Sequence, residues 1–183
     1  MPSDDLSPCS NPSRSPVMII RTATIDDSPK LEAIFVHAVT TLAPEYYSPE
    51  QVQAWAAPPQ DSDRFQHWLQ DGRIWVAQEG DRILGFVGLM DDGLVSALFV
   101  HGDYGRQGIG SRLLSTAIAW AQQHHLLNLR AEASELSRPL FAKFGFRTDA
   151  TETVTRGGVV FHRALMSYTM PPAEPDAASA PED

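Results

Sequence analysis

The chain has a single cysteine, no apolar run of the ~18–20 residues that cross a bilayer, no basic excess, and no proline between Pro59 and Pro139. Each shortage excludes something. Cys9 alone rules out a disulfide within the chain and fits a reducing, cytoplasmic setting. Residues 1–17 lack the charged-then-apolar order of a signal peptide, and Met18 is a candidate start. Net charge is −9, and residues 18–170 hold 13 Lys and Arg against 17 Asp and Glu, so no broad basic surface for nucleic acid is expected. The proline-free block suits regular secondary structure. Eight of the 14 prolines fall instead in 1–17 and 171–183, which read as flexible tails around one domain at 18–170.

Val17 to Arg21 reads as a strand. Ser28-Pro29 starts a helix whose apolar face is Leu31, Ile34, Phe35, Ala38, Val39 and Leu42. Ser48-Pro49-Glu50-Gln51 is a capping box leading a second helix, and Asp61 caps a third that carries Phe65, Trp68 and Leu69 and ends at Gly72. Arg73–Gln78, Arg82–Met90 and Leu94–Val100 then form an antiparallel meander with turns at Gly80 and Gly93. A long helix follows to about His124. After it come a strand, Leu127–Ala133, a short helix ending at Phe144-Gly145, and two strands joined at Gly157-Gly158. The chain is therefore mixed α/β.

The chemical signal lies in Gly105-Arg106-Gln107-Gly108-Ile109-Gly110, where a strand gives way to the long helix. Glycines let backbone approach a ligand, and the unpaired amides and dipole of a helix start attract phosphate. No Lys-Ser/Thr follows, which excludes a P-loop, and Leu113 stands where a dinucleotide fingerprint needs glycine or alanine. A pyrophosphate held by backbone amides remains, as coenzyme A requires.

The run from Leu98 through Gly110 to Leu114 resembles the acyl-CoA-binding motif of the GNAT N-acetyltransferases, and Leu140-Phe141-Ala142-Lys143-Phe144-Gly145-Phe146 resembles a second family segment. Tyr47 to Ala56 resembles a stretch of bacterial single-domain members. The resemblance implies the GNAT acyl-CoA N-acyltransferase fold, a mixed, mostly antiparallel central sheet flanked by helices. It implies an acetyl-CoA-dependent transfer to a primary amine, on a small molecule or peptide, by direct attack in a ternary complex. Leu98, Phe99 and Val100 would line the pantetheine arm. Arg106, Gln107, Gly108, Ile109, Gly110 and Ser111 would hold the pyrophosphate, and Ser134, Phe141 and Lys143 would complete the cofactor site. Two departures stand out: Gly105 replaces the usual Gln or Arg at the start of the phosphate motif, and Phe141 replaces a tyrosine that often protonates the departing thiolate.

Acyl transfer needs a neutral amine, alignment and a donor for the carbonyl oxygen. By resemblance the Val100 N–H is that donor. Glu132, on the strand beside the cleft, and Tyr47 are the candidate proton carriers. Glu132 could equally face solvent or pair with an arginine such as Arg130, and Tyr47 could serve only as a hydrophobic staple. His101 is a base or a solvated loop residue. No metal-ligand spacing is evident. Phe141 also favours an alternative, a GNAT-like module that binds acyl-CoA without turnover. The Gly157-Gly158 hairpin reaches over the site or over a partner subunit, and a homodimer is compatible with that.

Overall fold

The computed structural model describes residues 17–57 and 70–171. The third helix expected around Phe65–Leu69 lies outside them, as do nearly all of both tail segments. In chain order the elements are β1 Ile19–Thr22, α1 Ser28–Leu42, α2 Pro49–Ala56, β2 Gly72–Glu79, β3 Arg82–Met90, β4 Leu94–Val100, α3 Ile109–Gln123, β5 Asn128–Ala133, α4 Arg138–Lys143, β6 Arg147–Arg156 and β7 Val159–Thr169.

The seven strands form one sheet in the order β1-β2-β3-β4-β5-β7-β6, and every pairing is antiparallel except β4 with β5. Both faces of its first half are covered, so β2 and β3 read as continuous apolar runs rather than alternating ones. Their alternation is still visible in the packing. Ile74, Val76 and Phe86 pack with Leu31, Phe35 and Val39 of α1, whereas Trp75, Ala77 and Val87 pack with Leu113, Leu114 and Ala117 of α3.

The start of α1 differs by one residue from the sequence expectation. Asp27, not Ser28, occupies the N-cap position. Its carboxylate receives two bonds from the Arg21 guanidinium, at 2.7 and 3.0 Å, and one from the Thr24 N–H at 2.8 Å. Arg21 is the principal reason that the Asp27 pKa falls to about 2, despite the opposing cost of burial. The capping box of α2 forms as read: the Gln51 N–H donates to Ser48 Oγ, and the Ser48 N–H donates to Gln51 Oε1.

Two irregularities shape the centre of the sheet. Gly88 pairs with Ala97 and Leu89 with Val95, so Ser96 is an extra, bulged residue in β4. The parallel β4–β5 ladder runs only over Leu94–Arg130 and Val95–Ala131. Beyond that point the two strands part, and the sheet opens into a V between Ser96–Val100 and Glu132–Ala133.

Candidate active site

The opening of the V leads into a cleft of about 1130 Å³. One wall is the exit of β4. The His101 N–H donates to the Leu84 carbonyl on β3 at 2.8 Å. Hydrogen-bonding direction alternates along an antiparallel pair, so the amides and carbonyls of Val100 and Leu98 face the other way, into the gap left by β5. Phe99 instead pairs with Phe86, and its ring packs edge-on to Phe35 at 4.9 Å.

The floor is the start of α3. Arg106 and Gly108 adopt left-handed backbone, with φ of 60° and 80°. The turn they make leaves the N–H groups of Arg106 to Ser111 without an acceptor among the described residues. Six such amides at the positive end of a 15-residue helix form an anion cradle. Among the described residues no side chain caps this helix, so none of them competes for the amides. The Arg106 side chain, however, is paired with Glu45 at 2.5 Å.

The opposite wall comes from β5, α4 and the β6–β7 hairpin. Of the sequence candidates, Leu98, Phe99, Val100, Arg106, Gly108, Ile109, Gly110, Ser111, Glu132, Ser134 and Phe141 line the cleft, whereas Gln107, Lys143 and Tyr47 do not. Gln107 and Lys143 are exposed. Phe141 is buried, with its ring edge-on to Phe146 at 5.1 Å.

Glu132 takes the arginine-paired alternative, though with a different arginine, and stays partly exposed. Arg130 is paired with Asp92 at 2.6 Å. The Glu132 carboxylate instead accepts from Arg163 of β7 through Oε2, and Arg163 also holds Glu152 at 2.6 Å. Oε1 of Glu132 has no protein donor among the described residues. Tyr47 is both staple and polar contact. Its ring lies 5.3 Å from Trp55 and 6.0 Å from Phe161, while its hydroxyl accepts from the Glu135 N–H at 2.9 Å. Burial is the main reason its pKa is raised, and the bond from the Glu135 N–H acts against that rise. The Tyr47 hydroxyl thus sits one side chain behind the cleft wall.

His101 is not a solvated loop residue. Its ring stacks on His37 of α1 at 3.6 Å and 16°, and burial, then His37, lowers its pKa. Asp103 completes a cluster of metal-capable side chains that no sequence spacing revealed. The parallel rings do not converge on one point, and His37 Nδ1 already accepts from the Gly102 N–H at 3.1 Å. The group therefore fastens the β4 exit to α1. Gly102 belongs to the same fastening, since a Cβ there would run into Thr41.

Motif reading missed other side chains that line the cleft: Phe35 and Leu42 of α1, Glu45, and Arg156 and Arg163 of the last hairpin. The one available signal was the Gly157-Gly158 turn, which marks the hairpin without showing where its side chains fall.

The chain matches the family model described as an acetyltransferase (GNAT) domain over residues 43–167. It is 33% identical over 149 residues to the uncharacterized N-acetyltransferase YafP of Escherichia coli (strain K12), which covers 81% of this chain and 94% of the relative. A GCN5-related N-acetyltransferase from Rhodopseudomonas palustris superposes with a TM-score of 0.78 at 27% identity, covering 86% of this chain and 97% of that one. The PaiA N-acetyltransferase from Thermoplasma acidophilum, solved in complex with coenzyme A, has the same fold, with a TM-score of 0.69 at 17% identity over 84% of this chain and 99% of that one. With its V-shaped opening and amide-lined helix entrance, the chain belongs to the GNAT family of N-acetyltransferases.

Proposed function

We propose that this protein transfers the acetyl group of acetyl-CoA to a primary amine by direct attack within a ternary complex. The observation that carries the reading is the juxtaposition of free amides at 106–111 with the unpaired edge of β4. The amide cradle suits a pyrophosphate, and the Leu98–Val100 edge suits the amide-bearing pantetheine arm laid alongside it as a strand would be. This placement sets the thioester near the Val100 N–H, which donates to the carbonyl oxygen as charge develops there. The PaiA relative holds coenzyme A itself, in keeping with this use of the fold.

The reaction breaks the thioester C–S bond and forms an amide C–N bond. Glu132 Oε1, open to the cleft, accepts the proton that the amine loses, directly or through water. Arg163 holds the other carboxylate oxygen and so fixes where that proton can go. The departing thiolate needs a proton in return, and Phe141 cannot give one. Tyr47, whose hydroxyl proton is left free while its oxygen accepts from the Glu135 N–H, supplies it by way of Ser134, which lines the cleft.

The test is a free-thiol assay of CoA release across an amine panel, with mass spectrometry of the acetylated product. Amine-dependent release with stoichiometric N-acetylation is expected. Tight CoA binding with no release for any amine would favour the second reading, a binding module without turnover, for which Phe141 is the specific argument.

A further inference from the structure

The charges of the cleft are almost fully paired, and the exception is informative. Among the described residues three arginines line it: Arg106, Arg156 and Arg163. Arg106 is matched by Glu45, and Arg163 by Glu132 and Glu152. Arg156 has no ion pair or hydrogen bond among the described residues. Its guanidinium lies close enough to Tyr47, Glu132 and Arg163 for each to act on it. Desolvation, then Arg163, lowers its pKa against a smaller opposing pull from Glu132 and Tyr47, so the cation is only partly compensated although the residue is exposed overall.

Its position is fixed by the hairpin. Arg156 ends β6 opposite Val159, immediately before Gly157 and Gly158, whose φ values of 55° and 80° make the tight turn. The turn is docked on α2: Gln51 Nε2 donates to the Val160 carbonyl at 2.9 Å, and Gly157 lies against Ala54. The cation is thus held on the acceptor side, beside the carboxylate proposed to take the amine proton. The cleft wall beside the turn is apolar, with Ala54 and Trp55 of α2.

The geometry points to an acceptor that carries its own carboxylate: a free amino acid or similar amine with an apolar side chain, its carboxylate bound by Arg156 while its amine faces Glu132 and the thioester. A planar guanidinium takes a carboxylate through two parallel bonds, and an otherwise unpaired one gains most from it. This rests on the transferase reading above and narrows it to a substrate class.

The full chain is assayed for CoA release with matched acceptors: phenylalanine, phenylalaninamide and phenethylamine, which keep the amine and ring and differ at the carboxylate. All three are compared at one pH, with each concentration expressed as free amine from that acceptor's own pKa. A preference for phenylalanine of at least tenfold in kcat/KM is expected, carried mainly by KM. Arg156→Gln should collapse that ratio and Arg156→Lys should restore part of it, with the melting temperature serving as the check that each variant is folded. Equal use of the amide or plain amine, or a preference that survives R156Q, overturns the assignment and leaves the transferase standing. No release with any amine overturns both.

Discussion

The two halves of the cleft are built in different ways. The half proposed for the cofactor offers main chain: six amides at one helix start and the open edge of one strand, all within residues 98–111. The half proposed for the acceptor offers side chains from α1, α2, β5 and the β6–β7 hairpin, with Glu132 held by Arg163 some thirty residues later. Main-chain recognition tolerates substitution wherever backbone shape survives. Side-chain recognition does not, and this is where members of one fold can diverge in what they acetylate.

That contrast predicts a separation of effects. The largest belongs to the acceptor half: Glu132→Gln should lower kcat by roughly 10²–10³-fold, within the range for loss of a general base, while leaving the calorimetric Kd for CoA unchanged. Equal loss of CoA affinity would show that the halves are not separable.

In the cofactor half, the sensitive point is backbone shape. Gly108 has φ of 80°, and a Cβ added there would meet nothing within 4 Å, so only conformation penalises a side chain. Gly108→Val should weaken CoA binding about tenfold, from the ~1–2 kcal/mol cost of left-handed backbone. A comparable substitution at Gly157, also left-handed but across the cleft, should leave CoA affinity alone.

The cofactor half was legible in the sequence because it is local. Gly105 to Ser111 lie together in the chain, and a glycine run between a strand and an amphipathic helix has few physical uses. The meander was legible for the same reason, each turn being marked by Gly80 or Gly93. The pairing of Glu132 with Arg163 was not: nothing local distinguishes Arg163 from Arg130, and the choice is made by β5 pairing with β7, which sets Glu132 opposite Leu165 and near Arg163. The stacking of His37 on His101 likewise depends on how α1 crosses β4. Tyr47 was identified as a residue, but its contact with the Glu135 N–H spans 88 positions and could not be read from its neighbours.

Smaller effects sharpen the picture. Asp27 belongs to neither half, and its low pKa makes it a pH probe of the scaffold. Its folded pKa of about 2 lies below the usual 3.8, so its stabilisation is complete above pH ~4 and is lost as pH falls through the folded value. Asp27→Asn should cost about 2 kcal/mol at pH 7 by chemical denaturation and progressively less towards pH 2. Tyr47→Phe keeps the packing on Trp55 and Phe161 but loses the acceptor for the Glu135 N–H, for about 1 kcal/mol of stability. It should also lower kcat without changing CoA affinity, as measured by pre-steady-state release of thiol.

The smallest effect tests a place where the halves touch. Glu45 reaches across to hold Arg106, so it competes with a bound pyrophosphate for that cation. Glu45→Gln should tighten CoA binding by at most about fivefold, as expected for the release of an exposed pair worth ~0.2–1 kcal/mol.

The central claim is that the amides of residues 106–111 receive the diphosphate. Backbone amide NMR of the full chain titrated with coenzyme A tests it directly. The account predicts that the Gly108 to Ser111 N–H resonances move downfield and saturate with the Kd found by calorimetry. Calorimetric binding of CoA that leaves those resonances in place would contradict it.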